Sequence, residues 1–169
     1  MSNPVKHPDQ RVGVFVDASN MYFSSQNLYG KRVNFKNILK TAVWERKLVR
    51  AFAYVIEGDS DKEQDFFQAL YELGYEVRIK PLQIFHGGAK KGDWDVGLTI
   101  DVIRLLPLVD VVVLISGDGD YQDLLEYVRG QGRRTEVIAF KKTTSSKLIN
   151  EADEFIDMGQ NPKHFLLGR

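Results

Sequence analysis

Apolar residues along this chain follow two rhythms, and the change from one to the other marks out its elements. Short runs rich in β-branched residues, at 11–17, 48–56, 75–85, 111–115, 133–140 and 155–158, predict strands. From Val111 to Ile115 every position is apolar, which predicts a strand covered on both faces and central in a parallel sheet. Pro81 predicts an irregular or edge position for the strand around it. Between these runs the spacing turns helical. Helices are expected from near Met21, over 34–43, from Ser60 to Gly74, over 93–106, over 121–131 and over 145–153. Ser60 with Glu63 has the form of a capping box, and Phe66, Phe67, Leu70 and Leu73 supply the apolar face behind it. In the 93–106 helix, Val96, Ile100 and Ile103 form one apolar row that Leu98, Val102 and Leu105 widen, so this helix is expected to be largely buried. Strands alternating with helices predict an α/β fold: a doubly wound, mainly parallel sheet with helices on both faces.

A length of 169 residues fits one domain. Residues 1–10 read as a loose N-terminal arm, 11–158 as the domain and 159–169 as a C-terminal tail. There is no cysteine and there are three scattered histidines, so a metal would be held by oxygen, which favours magnesium or manganese over structural zinc. No apolar run approaches the ~18 residues needed to span a bilayer, and the N-terminus lacks the apolar core of a signal peptide, so a cytoplasmic protein without a membrane partner is expected. Lys plus Arg balance Asp plus Glu at 23 each. With no net charge to signal a nucleic-acid partner, local distribution has to carry that question.

The chemistry collects where strands stop. The central apolar run ends in Ser116-Gly-Asp-Gly-Asp120, the first strand ends at Asp17, and Asp93 and Asp95 open a helix. In open α/β sheets ligands sit outside the carboxyl ends of strands, and the first and fourth strands end at the same edge. Carboxylates gathered there repel one another unless a cation joins them. Magnesium suits such a group, since it binds a few carboxylates and keeps several waters, one of which can attack a phosphodiester. The same residues also suit a structural role: Asp118 or Asp120 as the cap of the helix near Tyr121, and Asp17, Ser19 or Asn20 as the cap of the first helix. Asp93 and Asp101 differ by about 80° around their helix and Asp95 points elsewhere, so the three cannot share one face. Tyr22, Phe23 and Trp94 are candidates for stacking on unpaired bases, although the position of Phe23 early in a helix is that of a core residue.

Four ordered motifs carry a resemblance: Phe15-Val-Asp-Ala-Ser-Asn20, Lys91-Gly-Asp-Trp-Asp-Val-Gly97 with Asp101, Ser116-Gly-Asp-Gly-Asp-Tyr121, and Ser145-Ser-Lys-Leu148 with Ala152-Asp-Glu-Phe155. Together they resemble the NYN domain family, particularly its LabA-like branch, within the PIN-like nucleases, over roughly residues 11–157. The resemblance implies a PIN-like fold and a ribonuclease dependent on Mg2+ or Mn2+. Asp17, Asp95 and Asp118 match the acidic metal-holding positions, with Asp120 or Asp101 joining them, and Asn20 matches a position that orders the site. This chain departs from the family pattern in placing an acid on both sides of Trp94. Asp95 is taken as the ligand and Asp93 as a cap or outer group, with Ser116 beside the site. RNA, single-stranded or structured, is the implied substrate, and a homodimer is the candidate assembly. Lys90, Lys91, Arg133, Arg134, Lys141, Lys142 and Lys147 are expected near the acidic edge, where cations would hold phosphates; solvated faces carry such residues too. The alternative is an RNA-binding or regulatory module that keeps the acidic pocket without turnover. A phosphatase forming an aspartyl-phosphate is disfavoured, because Ser19 stands where its second Asp is needed.

Overall fold

In the computed structural model, which describes residues 6–58, 61–84, 86–88 and 90–168, Val111 to Ile115 are wholly without solvent exposure. Around this strand the chain lays down β1 (Arg11–Asp17), α1 (Ala18–Tyr29), α2 (Phe35–Val43), β2 (Lys47–Glu57), α3 (Lys62–Glu72), β3 (Glu76–Pro81), the short β4 (Gln83–Ile84) and β5 (Lys90–Lys91), and α4 (Asp95–Leu105). There follow β6 (Val111–Ile115), α5 (Gln122–Gly130), β7 (Arg134–Ala139), α6 (Ser146–Glu151), β8 (Glu154–Asp157) and α7 (Pro162–Phe165). The main sheet has the order β3-β2-β1-β6-β7-β8, and every neighbouring pair is parallel. This is the doubly wound order, in which the chain reverses direction between β1 and β6 and opens a crevice at their carboxyl ends. The strand expected over 75–85 is broken after Pro81, and its second part pairs antiparallel with β5 as a separate ribbon. Ser60 of the expected capping box lies outside the described residues; Glu63 accepts the backbone N–H of Gly58 at 2.8 Å.

Strand alternation decides what β1 presents to each layer. Gly13 faces α4, where an added Cβ would come within 2.9 Å of a Leu105 methyl, so the helix settles directly on the strand. Asp17 has the same parity as Gly13 and thus points to the α4 side of the sheet. The apolar rows of α4 correct the sequence reading. Leu98, Val102 and Leu105 are buried, whereas Val96, Ile100 and Ile103 are exposed, Val96 at 71%. At about 100° per residue the two rows are roughly 200° apart, so a helix lying on a sheet buries only one of them.

Both ends of the domain are tied down. Gln10 accepts the Lys47 N–H through its backbone and an Arg46 N–H through its side chain, and Lys6 stands 3.8 Å from Glu154. The segment after β8 folds back on α2: the Asn37 amide donates to the His164 carbonyl at 2.8 Å, and Phe165 and Leu166 are buried. Arg46 and Glu136 form a fully buried two-bond pair at 2.9 and 2.8 Å, which Arg134 joins at 2.8 Å. No helix among the described residues is long and apolar enough to cross a membrane.

Candidate metal centre

The crevice between β1 and β6 is built by three chain segments that each deliver one carboxylate. Asp17 ends β1 and caps α1, accepting the Asn20 N–H at 3.3 Å, so that the turn from strand to helix fixes its side chain. Asp118 lies just beyond β6, where its carboxylate accepts the Asp120 N–H at 2.9 Å and caps a single 3-10 turn. Asp95 begins α4, and its N–H is held by the Asp93 carboxylate at 3.1 Å. Ligand oxygens of Asp17, Asp95 and Asp118 lie within 4.8 Å of one another. Capping and convergence are therefore both true of Asp17 and Asp118: each carboxylate accepts a backbone N–H of its turn and also offers an oxygen to the group of three.

A lattice of short polar contacts supports the three. The Ser116 hydroxyl, completely buried, donates to Asp17 at 3.3 Å and accepts the Asp118 N–H at 3.1 Å. Asn20 accepts the Gly117 N–H at 3.0 Å. On its far side the Gly117–Gly119 loop packs on residues 143–145: the Ser145 N–H donates to the Gly117 carbonyl at 3.1 Å, and a Cβ on Gly117 would come within 2.8 Å of the Thr143 carbonyl. Glycine is required there by backbone contact rather than by φ.

Electrostatics record no counter-charge at the centre among the described residues. Burial pushes the Asp17 carboxyl up to about 6, against the Asn20 N–H, with Asp95 and Asp118 adding repulsion. Asp95 also rises to about 6, again mainly through burial and then through Asp118 and Asp93. Tyr121 closes the floor of the centre. Its hydroxyl is buried and without a partner of hydrogen-bonding geometry among the described residues, yet it lies near enough to Asp95 for each to bear on the other's ionisation. Burial, then the charges of Asp17 and Asp95, hold its proton firmly in place. An orphaned buried donor and three close carboxylates are the features expected around a hydrated hard cation, and the all-oxygen donor set fits magnesium or manganese. Tyr121 ends the Ser116–Tyr121 motif but received no role from the sequence; a tyrosine directly after the acidic loop, in the first turn of a helix, was the available signal.

The other expected site residues divide. Asp93, expected as a cap or outer group, lies one residue before the N-cap Trp94 and accepts the Asp95 N–H. Asp120 is exposed and outside the group of three, though its charge is felt at Asp95. Asp101 is buried two turns along α4, where the Tyr54 hydroxyl donates to it at 2.9 Å and Arg78 stands 3.0 Å away, so it already has partners elsewhere. Lys141, Lys142 and Lys147 are exposed on and after the loop that packs against Gly117. Arg133 and Arg134 are not at this edge. Arg134 begins β7 and Arg133 precedes it; the first residue of β7 pairs with the first residue of β6, so both lie at the opposite end of the sheet, and Arg134 is engaged by Glu136 and Glu154. The side chains of Lys90 and Lys91 lie outside the described structure. Trp94 is committed to the fold, donating to the Val55 carbonyl at 2.9 Å, with Lys80 over its ring. Phe23, expected in the core, is 63% exposed.

The model of the NYN domain matches residues 11–159. The chain is 29% identical over 156 residues to the low amplitude and bright protein LabA of Synechococcus elongatus, covering 88% of this chain and 83% of that protein. It is 23% identical over 154 residues to an uncharacterized protein of Methanocaldococcus jannaschii, covering 90% of this chain but only 57% of that longer relative. A crystal structure of a protein of unknown function from Vibrio parahaemolyticus superposes with a TM-score of 0.86 at 33% identity, covering 96% of this chain and 99% of that one.

Proposed function

The chain belongs to the NYN domain family, and from that premise we propose that it is a ribonuclease that hydrolyses RNA phosphodiester bonds with a magnesium or manganese ion held by Asp17, Asp95 and Asp118. The observation that carries the reading is the convergence of three carboxylates from separate segments at the crevice where an open α/β sheet binds its ligands. A bound divalent ion supplies Lewis-acid charge for the phosphoryl oxygens and for activating water. The chain's own residues do the rest. Asn20 and Ser116 orient Asp17, and the 3-10 turn orients Asp118, so the ligands are set before substrate arrives. Tyr121 offers a hydroxyl proton to whatever oxygen occupies the floor of the centre. Asp120, exposed at the rim, is the carboxylate left free to accept a proton from the attacking water. Lys141, Lys142 and Lys147 draw the phosphate backbone to this edge.

The test is incubation of purified protein with single-stranded and double-stranded RNA and DNA, in manganese, magnesium or EDTA. EDTA-sensitive cleavage of RNA that disappears in Asp118→Asn is expected. Tight RNA binding without cleavage under all conditions would replace the nuclease by a binding or regulatory module.

A further inference from the structure

Helix α1 runs from Ala18 to Tyr29 without one charged side chain, in a protein where 27% of residues are charged. Its solvent side carries instead two adjacent aromatic rings, Tyr22 at 52% and Phe23 at 63% exposure, set edge to face with centroids 5.6 Å apart. Met21, Ser24 and Ser25 are buried beneath the helix, and at about 100° per residue the rings cannot turn inward without turning these outward. The pair contributes nothing to the core, and its exposure runs against the tendency of soluble surfaces to hide large rings.

The pair lies in the first half of the helix that Asp17 caps. Phe23 is three residues after Asn20, so the two share a flank of α1, and from that flank Asn20 reaches Gly117, the neighbour of Asp118. Helical side chains lean toward the helix N-terminus, and the N-terminus of α1 is capped by Asp17. About 9 Å of helix separates Asp17 from Phe23 at 1.5 Å per residue. That is the length of two to three stacked nucleotides at about 3.4 Å each. No carboxylate on α1 opposes a phosphate backbone along this path, and the helix is followed by exposed Lys31 and Arg32.

We propose that Tyr22 and Phe23 form a stacking platform for the unpaired bases of a single-stranded nucleic acid whose phosphodiester lies at Asp17, Asp95 and Asp118. The proposal rests on the nuclease reading above and narrows its substrate class. Every base has a face to stack, so the platform selects single strands without selecting sequence, while a duplex keeps its base faces against one another.

Binding of a short fluorescein-labelled oligouridine and of a duplex RNA of equal length, measured in EDTA over a range of salt, tests it. Replacing both Tyr22 and Phe23 by alanine is expected to weaken oligouridine binding about tenfold to 100-fold. Duplex affinity, the slope of affinity against salt and Tm should change little, because no phosphate contact and no core residue is lost. Tyr22→Phe with Phe23→Tyr should restore binding. Oligouridine binding equal to wild type in the double alanine variant overturns the platform and leaves the nuclease reading intact. Equal loss on single strand and duplex overturns it as well. A wild type that neither binds nor cleaves any RNA removes both proposals.

Discussion

Asn20 accepts the backbone N–H of Gly117 at 3.0 Å, and this one bond joins α1 to the loop after β6 across the crevice between β1 and β6. The loop is also tied to the end of β1 through the Ser116 hydroxyl on Asp17 and, from its other side, to residues 143–145. Asn20→Ala leaves a partly buried N–H unpaired, at a cost of about 1–3 kcal/mol, which for a chain of this size is a fall in Tm of several degrees, at about 2–4 °C per kcal/mol. It also frees Asp118 to drift from Asp17, so manganese is expected to bind several-fold more weakly by calorimetric titration. Unchanged manganese affinity would mean that the loop keeps its shape without α1.

The buried Arg46–Glu136 pair sits at the other end of the sheet and serves as a control on stability alone. Glu136→Ala strands a guanidinium with no carboxylate partner in a dry environment, a loss of about 3–5 kcal/mol. A Tm lowered by roughly 10 °C is expected at about 2–4 °C per kcal/mol, with the manganese-induced shift in Tm preserved. If that shift vanished too, the centre would depend on global stability rather than on its own three segments.

These two positions illustrate what could be read from the chain and what could not. Val111 to Ile115 declared a central strand because nothing polar interrupts it, and the carboxylates after β1 and β6 followed as neighbours once the sheet was taken as parallel. Local pattern failed where a partner distant in sequence decides. Asp101 reads as an acid near other acids, yet Tyr54 and Arg78, from β2 and β3, claim it. Arg133 and Arg134 are close in sequence to Lys141, but β7 carries them to opposite ends of the sheet. In α4 two apolar rows compete for one buried face, and periodicity alone cannot say which row wins. Phe23 looks like a core residue by its type and place, but Met21 and Ser24 already occupy the inward direction.

The two raised carboxyls give the metal-free protein an unusual pH profile. Asp17 and Asp95 both stand at about 6, burial being the first cause in each, against a starting value of 3.8. A group whose folded pKa exceeds its unfolded one contributes fully below the unfolded value, and that contribution is lost as pH rises through the folded value. In EDTA, Tm is therefore expected to be higher near about pH 5 than near about pH 8, with buried Asp17 contributing most, because solvent screens the only partly buried Asp95. Over this range Glu136 adds no slope: its burial is outweighed by Arg46 and Arg134, which hold it below the usual carboxylate range. With manganese present the order should reverse, since ligands bind the ion when deprotonated. A flat profile in EDTA would show that folding does not raise the two carboxyls.

Asp118→Asn separates a metal ligand from a mere cap. In metal-free protein the substitution removes one of three charges held within 4.8 Å, a repulsion the unfolded chain largely escapes, while the amide oxygen can still accept the Asp120 N–H. Metal-free Tm is thus expected to rise by a few degrees. Asp118→Ala loses the cap as well, worth about 1 kcal/mol, so its Tm should fall below that of the asparagine variant. Manganese should raise the Tm of the wild type by mass action, because it binds the folded state, and raise that of either variant much less. A purely structural Asp118 gives the opposite pattern. The alanine variant would then be less stable than wild type in EDTA, the asparagine variant would be no more stable than wild type, and manganese would shift none of the three proteins. That outcome would leave the crevice an acidic turn and deprive the nuclease reading of its central residue.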